Sequence, residues 1–204
     1  MLYLVTGGSG SGKSAFAETL CVELNSASSN MYYIAHMYPY IFGKPGVMDE
    51  ETKQRIDRHK CQRAGKGFET IECFCNISSL LCNEAIDGEK VLLSECMSNL
   101  LANEMYLDEG RLNSYKIGQE FSQAKWKSKI EEYIVEPIFN MSKKVKAYVV
   151  VTNEIYIDRN NEYEETIRYA DYLAYINRRL TELSEKSYEV VCGIPIELKK
   201  KEEI

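Results

Sequence analysis

The sequence has no excess of basic residues: 25 lysines and arginines are outnumbered by 31 aspartates and glutamates, giving a net charge of −6. Proteins that bind nucleic acids generally need a basic face for the phosphates, so this balance argues against that class. Nucleotide binding stays open, because backbone N–H groups and a single lysine can bind the phosphates of a nucleotide.

Long apolar runs are missing as well. No segment approaches the roughly 20 apolar residues that a membrane-spanning helix needs. The only apolar residues before the first glycines are residues 1–5, so a secretory signal is not expected. The seven cysteines lack the paired spacing of a zinc site or redox motif, since the nearest two, Cys73 and Cys75, have one residue between them. We therefore expect reduced thiols and a cytoplasmic location.

Apolar runs and amphipathic stretches alternate along the 204 residues. The pattern predicts strands over residues 2–5, 31–35, 68–71, 91–93 and 145–152, and one or two more within 188–199. It predicts helices over 14–24, 48–63, 77–85, 100–106, 118–141 and 161–185, and a frayed tail over 199–204. This alternation is typical of an α/β protein with a mostly parallel sheet and helices on both faces, in a single domain over residues 1–204.

The stretch GGSGSGKS satisfies the pattern G-x-x-x-x-G-K-[ST] at every required position. Glycines let successive backbone N–H groups turn inward around a phosphate, and the following helix adds its N-terminal dipole. Lys13 is expected to reach the β- and γ-phosphates, and the Ser14 hydroxyl to bind Mg²⁺. The sequence therefore predicts a P-loop that binds ATP or GTP, formed by Gly7, Gly8, Ser9, Gly10, Ser11, Gly12, Lys13 and Ser14.

A P-loop protein usually needs a second acidic group for Mg²⁺ at the carboxyl end of a neighbouring strand. Glu95 meets this requirement, because it follows the apolar strand 91–93 where the crevice of a parallel sheet opens. A solvated glutamate at a strand end is the alternative interpretation. Thr152, Asn153 and Glu154 end another strand in the same way, and could contact phosphate, metal or the acceptor hydroxyl.

Histidine is scarce, with only His36 and His59 in the chain. His59 lies four residues after Arg55 and four before Arg63, so the three share one face of the predicted helix. An imidazole between guanidinium groups suits nucleophilic attack on phosphorus, although a solvent-exposed surface histidine is the alternative. His36 ends the second strand beside the P-loop crevice, where either a nucleotide contact or strand-end packing is expected.

The chain resembles the bifunctional adenosylcobinamide kinase/adenosylcobinamide-phosphate guanylyltransferase family of cobalamin assembly. The resemblance is carried by collinear segments, LVTGGSGSGKS, MYYIAH, DEETKQRIDRHKCQR, GFETIE, VLLSEC and VVVTNE, and resumes weakly over 171–199. The P-loop is shared with many families. The specific parts are R-I-x-x-H at residues 55–59, T-N-E at 152–154, and E-C beside S-N within 95–99.

This resemblance implies a RecA-like sheet, a trimer with nucleotide near a subunit boundary, and a two-step chemistry. A nucleoside triphosphate first phosphorylates the aminopropanol hydroxyl of adenosylcobinamide. His59 then takes GMP from GTP, releasing pyrophosphate, and passes it to the new phosphate. Lys13 and Glu95 join His59 as catalytic residues, and Ser14 with Glu95 as ligands of Mg²⁺. Beyond the P-loop, the candidate nucleotide-binding residues are Ala35, His36, Arg55, Lys60, Arg63, Glu72, Glu95 and Asn153.

The sequence departs from the family pattern in several places. Residues 155–160, IYIDRN, contain no glycine or proline, Ala35-His36 replaces A-T, the loop 37–48 is longer, and Ala174 stands where a glycine is expected. Two alternatives therefore stay open: a stand-alone small-molecule kinase without guanylyltransferase activity, and a nucleotide-switched binding protein without transferase chemistry. The sequence contains no N-K-x-D guanine motif of GTPase switches, which disfavours the second.

Overall fold

The apolar runs of the sequence become the strands of one sheet. The computed structural model describes residues 1–25, 31–41, 44, 46–113, 123–155 and 163–200. The strands are β1 (Leu2–Thr6), β2 (Met31–Ala35), β3 (Phe68–Glu72), β4 (Gly88–Glu95), β5 (Val145–Val151), β6 (Lys186–Val191) and β7 (Ile194–Lys200). Each predicted strand is confirmed, with boundaries that differ by up to three residues.

Helices connect these strands. They are α1 (Lys13–Leu24), α2 (Glu50–Arg63), α3 (Met97–Tyr106), α4 (Gln123–Ile130), α5 (Glu136–Lys144) and α6 (Glu164–Leu183), with a π-helical turn (Glu131–Val135) joining α4 to α5. The parts of the predicted helices at 118–122 and 161–162 lie outside the described residues. In the ranges that the structure describes, no helix combines the length and apolar character needed to cross a membrane.

The strands lie in the order β3-β2-β4-β5-β1-β6-β7. Neighbouring strands are parallel except for β6 and β7, which form an antiparallel hairpin at the edge. β5 separates the P-loop strand β1 from β4, which ends in Glu95, and this matches the predicted RecA-like P-loop fold. The carboxyl ends of β1, β2, β4 and β5 therefore meet along one edge of the sheet.

Side-chain alternation along the strands divides the core into two layers. Tyr33, Leu93 and Val149 pack with α1 on one face of the sheet. Ile34 and Leu92 face the opposite layer, which α3, α5 and α6 cover. Full burial of a large aliphatic side chain contributes about 1.5–3 kcal/mol to stability, so both layers hold the sheet edge in place.

The helix predicted over 77–85 is wrong in type and length, because the segment forms a short 3₁₀ helix, Ile77–Cys82. The Asn83 side chain accepts a hydrogen bond from the Ala85 N–H at 3.0 Å. That contact offers the backbone an alternative to a further helical turn, as asparagine commonly does.

The expected fraying of residues 199–204 is wrong for its first two residues, which belong to β7. The Lys199 ammonium group donates to the carbonyl oxygens of Thr181, Glu182 and Ser184, each at 2.9 Å. A cation there satisfies the exposed carbonyls at the end of α6 and complements the negative end of its dipole. Residues 201–204 lie outside the described part of the chain.

Candidate active site

The P-loop connects the end of β1 to the start of α1. Gly7 has φ 152°, and a Cβ at this position would lie 2.6 Å from the Val190 carbonyl oxygen. Gly12, at φ 91°, precedes the first helical residue, Lys13. The Lys13 ammonium group donates to the Gly8 carbonyl oxygen at 3.1 Å, so it lies back across the loop. This arrangement is that of a phosphate-binding loop.

The turn between β6 and β7 contacts the P-loop through backbone atoms. The Gly193 N–H donates to the Ser11 carbonyl oxygen at 2.8 Å. A Cβ on Gly12 would lie 3.2 Å from the Gly193 Cα, so the two backbones lie close together. The sequence gives no indication of this contact, because it joins two segments far apart in the chain.

Ser14 and Glu95 meet at the carboxyl edge of the sheet. The Ser14 hydroxyl donates a short hydrogen bond to Glu95 Oε1. A hydroxyl and a carboxylate are hard oxygen ligands of the kind that Mg²⁺ prefers, so the pair fits the predicted metal. The described residues include no group of three or more His, Cys, Asp or Glu side chains able to hold a metal ion. Phosphate oxygens and water would have to complete the coordination.

Helix α2 begins at a well-formed cap. Asp49 Oδ1 accepts from the Thr52 N–H at 2.7 Å and Oδ2 from the Thr52 hydroxyl at 2.9 Å. These hydrogen bonds lower the pKa of Asp49. The capped start confirms the helix predicted over 48–63 to within two residues. Arg55, His59 and Arg63 are spaced four residues apart on it and so share one face.

Two polar atoms on that face are buried without a partner. His59 is half-buried, and its Nδ1 has no hydrogen-bond partner among the residues that the structure describes. Arg63 is only 9% exposed, and its Nη1 is likewise buried without a hydrogen-bond partner in the described part of the chain. Buried polar atoms are hydrogen-bonded in the great majority of cases, so these two exceptions are explained well by a ligand that supplies the partner.

One open cavity of about 1020 Å³ joins the P-loop to α2. Its lining includes most of the predicted site residues, namely Ser9, Gly10, Gly12, Lys13, Ser14, Ala35, Arg55, His59, Lys60, Arg63, Glu72, Glu95 and Asn153. Gly7, Gly8 and Ser11 shape the loop without lining this cavity. The structure thus brings the P-loop and the His59 helix to one site.

His36 is a correction to the predicted set, because its side chain is fully buried away from the cavity. Ala35 lies on the cavity side of β2, and alternation turns the next side chain to the opposite face. His36 Nδ1 donates to the Cys73 carbonyl oxygen at 2.7 Å, and Nε2 accepts from the Ser94 hydroxyl at 3.0 Å. Burial lowers the pKa of His36 to about 4, so it is a neutral core residue.

The E-C…S-N and T-N-E segments contact each other. The Asn153 side chain donates to the Ser98 hydroxyl at 2.6 Å, and Asn177 donates to the Asn153 carbonyl oxygen at 3.1 Å. Thr152 is buried and donates to the Asn177 side chain at 2.6 Å. Asn153 and Glu154 line the cavity, while Thr152 holds the strand end in place.

Sequence reasoning missed several lining residues, which come mainly from β2, from the loop after it and from α2. They include Tyr33, Met37, Pro39, Met48, Lys53 and Phe74. Strand alternation would have found Tyr33, since it lies two residues before Ala35 and therefore on the same face. Of the altered segment 155–160, Ile155 lines the cavity and the rest lies outside the described residues.

Residues 3–198 match the model of a family described as cobinamide kinase / cobinamide phosphate guanyltransferase. The bifunctional adenosylcobalamin biosynthesis protein CobU of Salmonella typhimurium (strain LT2) is 26% identical over 199 residues, which cover 98% of this chain and 100% of the relative. The protein of the same name from Escherichia coli (strain K12) is 27% identical, with the same coverage.

Two solved structures share a more distant likeness. The flagellar accessory protein FlaH of Methanocaldococcus jannaschii is 12% identical with a TM-score of 0.42, covering 98% of this chain and 78% of that one. A solved ATPase domain is 8% identical with a TM-score of 0.48, covering 92% of this chain and 68% of that one. Neither likeness bears on function.

Proposed function

The chain belongs to the cobinamide kinase / cobinamide phosphate guanyltransferase family, and we propose how its cavity serves both reactions. The protein is a transferase of adenosylcobalamin biosynthesis that phosphorylates cobinamide and then transfers a guanylyl group to the product. The observation that carries our assignment of residues is that Lys13 and His59 line the same cavity. We propose that one domain, residues 1–204, performs both steps.

In the kinase step, the P-loop binds the triphosphate of ATP or GTP. The acceptor hydroxyl oxygen attacks the γ-phosphorus and loses its proton to solvent. A new O–P bond forms and the bond to the β–γ bridging oxygen breaks, releasing a nucleoside diphosphate. Lys13 stabilises the charge on the transferred group. Ser14 and Glu95 would hold Mg²⁺, which neutralises charge on the phosphates when bound.

In the guanylyl step, His59 attacks the α-phosphorus of GTP. A P–N bond forms, the bond to the α–β bridging oxygen breaks, and pyrophosphate leaves. Arg63, with Arg55 and Lys60 on the same helix, would contact the phosphate oxygens. A phosphate oxygen of the phosphorylated cobinamide then attacks, and the P–N bond breaks.

The two alternatives differ in how well they fit these findings. The family match shows an enzyme, so the non-catalytic binding protein is set aside. A stand-alone kinase would leave His59 without a role. That alternative suits an exposed surface histidine better than a half-buried one beside Arg63 in the cavity.

The direct test is to incubate the protein with α-labelled GTP and Mg²⁺ and then denature it. We expect acid-labile label on the wild type and none on His59→Ala. His36→Gln is the matched control, because it alters the other histidine outside the cavity, and it should keep the label. Unlabelled wild-type protein, or full labelling of His59→Ala, would exclude the carrier role.

A second assay separates the bifunctional enzyme from a stand-alone kinase. Transfer of γ-labelled phosphate to adenosylcobinamide should persist in His59→Ala, while formation of the guanylylated product stops. If the variant still makes the guanylylated product from GTP, a different group carries GMP or the transfer is direct.

We also propose a cytoplasmic homotrimer. The oligomer rests on the family resemblance, and the exposed Ile194, Ile196 and Leu198 of β7 supply apolar surface for a contact between copies. All seven cysteines are free thiols, which suits a reducing compartment. Sedimentation velocity should give the mass of three chains, and a monomer would refute the trimer.

A further inference from the structure

We propose that Tyr33 is a positioning residue that joins the two ends of the cavity, orienting Glu95 through its hydroxyl and Arg63 through its ring. The inference rests on the proposed function, because it concerns the same two reactions. It adds a residue that touches neither reacting phosphorus and acts through its neighbours. Its basis is a continuous set of contacts from the P-loop to the end of α2.

The first contact fixes the carboxylate. Tyr33 lies on β2, and its hydroxyl donates to Glu95 Oε2 at 3.3 Å. The other carboxylate oxygen, Oε1, accepts from Ser14. Held from both sides, the carboxylate has one orientation toward the P-loop.

The second contact fixes the guanidinium group. Arg63 Cζ lies 3.5 Å from the centroid of the Tyr33 ring, which is a stacked cation–π geometry. Arg63 is the last residue of α2, and its Nη1 is one of the buried atoms that have no partner in the described part of the chain. The stack therefore sets the plane of a group whose free nitrogen can bind a phosphate oxygen.

Strand register explains why one side chain reaches both neighbours. Tyr33 pairs with Leu93 and Ala35 pairs with Glu95 across parallel β2 and β4. Tyr33 and Glu95 are therefore diagonal neighbours on the same face of the sheet. Tyr33 also pairs with Thr70 of β3, and Thr70 lines the cavity. A shift of one residue in register would turn Tyr33 away from the site.

Two substitutions separate the two contacts. Tyr33→Phe removes the hydroxyl and keeps the ring, whereas Tyr33→Leu removes both. Tyr32→Phe is the matched control, because Tyr32 has the same exposure, 7%, and faces the opposite core layer. Thermal melts should first show that each variant is folded.

The first readout is binding of a non-hydrolysable nucleoside triphosphate, measured by calorimetry over a range of Mg²⁺ concentrations. We expect Tyr33→Phe to need about tenfold more Mg²⁺ for half-maximal nucleotide binding. This is the size of effect expected for losing a hydrogen bond to a charged group. Tyr32→Phe should match the wild type. Equal Mg²⁺ dependence in Tyr33→Phe and Tyr32→Phe would overturn the inference. This comparison tests the role of the Tyr33 hydroxyl even if Tyr33→Leu does not fold.

The second readout is the rate of labelling by α-labelled GTP. Tyr33→Phe should label within about twofold of the wild type, and Tyr33→Leu about tenfold more slowly, since Arg63 loses its stacking partner. Wild-type labelling in folded Tyr33→Leu would contradict the role of the ring. A wild type that neither labels nor transfers phosphate would instead overturn the proposed function, and this inference with it.

Discussion

The two ends of the cavity differ in how completely their polar groups are satisfied. At the P-loop end, Lys13, Ser14 and the Gly193 N–H donate hydrogen bonds within the protein. At the α2 end, His59 Nδ1 and Arg63 Nη1 are buried without partners among the described residues. The P-loop end has exceptions of its own, because the Ser11 hydroxyl and the Thr6 hydroxyl, one residue before the loop, are also buried without partners there.

This difference indicates at which end of the cavity a bound ligand stabilises the protein most. A buried polar group without a partner costs about 1–3 kcal/mol, so the α2 end is less favourable until a ligand supplies the missing contact. The P-loop end is held by internal contacts and needs little rearrangement to receive phosphates. We expect the P-loop end to govern phosphoryl transfer and the α2 end to govern attachment of GMP.

The largest loss of activity is expected from a substitution at the P-loop end. Lys13→Ala should lower phosphoryl transfer to adenosylcobinamide by about 100- to 1000-fold, because it removes the cation that stabilises the transferred group. The rate is measured with labelled triphosphate. Lys143→Ala, on α5 away from the cavity, should be unaffected. If Lys13→Ala kept more than a tenth of the rate, the loop would not have the proposed role.

The next effect concerns the Ser14–Glu95 pair. Glu95→Gln should lower phosphoryl transfer by about 10- to 100-fold and raise the Mg²⁺ requirement, because a neutral amide is a weaker ligand for a hard cation. Ser14→Ala should act in the same direction. If both groups bind one ion, the loss of phosphoryl-transfer rate in the double variant should be smaller than the two single losses combined. Strict additivity would argue for independent roles.

A smaller effect tests the α2 end alone. Arg63→Lys should slow labelling of the protein by α-labelled GTP about tenfold, since lysine cannot reproduce the planar, stacked guanidinium group. Phosphoryl transfer should change far less. Arg178→Lys, exposed on α6, is the control. Equal loss of both activities in Arg63→Lys would show that the two ends are not separable in the way we describe.

The smallest expected effect concerns His36, the histidine buried outside the cavity. Burial lowers the pKa of His36 from 6.5 to about 4, whereas the unfolded chain takes up a proton at this residue near pH 6.5. The free energy of unfolding should therefore fall as pH decreases from 6.5 toward 4, by about 1 kcal/mol between pH 7 and 5.5. Denaturant unfolding should show a flatter pH dependence in His36→Gln. An unchanged slope would mean that His36 is not the group responsible.

Much of the fold follows from local patterns in the sequence. The strands are short apolar runs whose ends bring the P-loop and Glu95 to one edge, and parallel strands bring those ends together wherever the sheet forms. The stripe of Arg55, His59 and Arg63 follows from helical spacing alone. These features depend on period and composition, which a single sequence records.

Other features depend on contacts that no local pattern specifies. The stacking of Arg63 on Tyr33, the Gly193 contact with Ser11 and the capping of α6 by Lys199 all join distant segments. Of the two expectations for His36, strand-end packing is confirmed and the nucleotide contact is wrong, for a different reason. Its position at a strand end suggests a nucleotide contact, whereas the alternation of side chains turns it to the other face of the sheet.

The most direct test of the central claim is to locate the attached GMP. The protein is incubated with GTP and Mg²⁺, digested at neutral to alkaline pH to preserve a P–N bond, and mapped by tandem mass spectrometry. We expect GMP on His59 and on no other residue. Attachment to a different side chain, or no attachment in protein that still makes the guanylylated product, would contradict it.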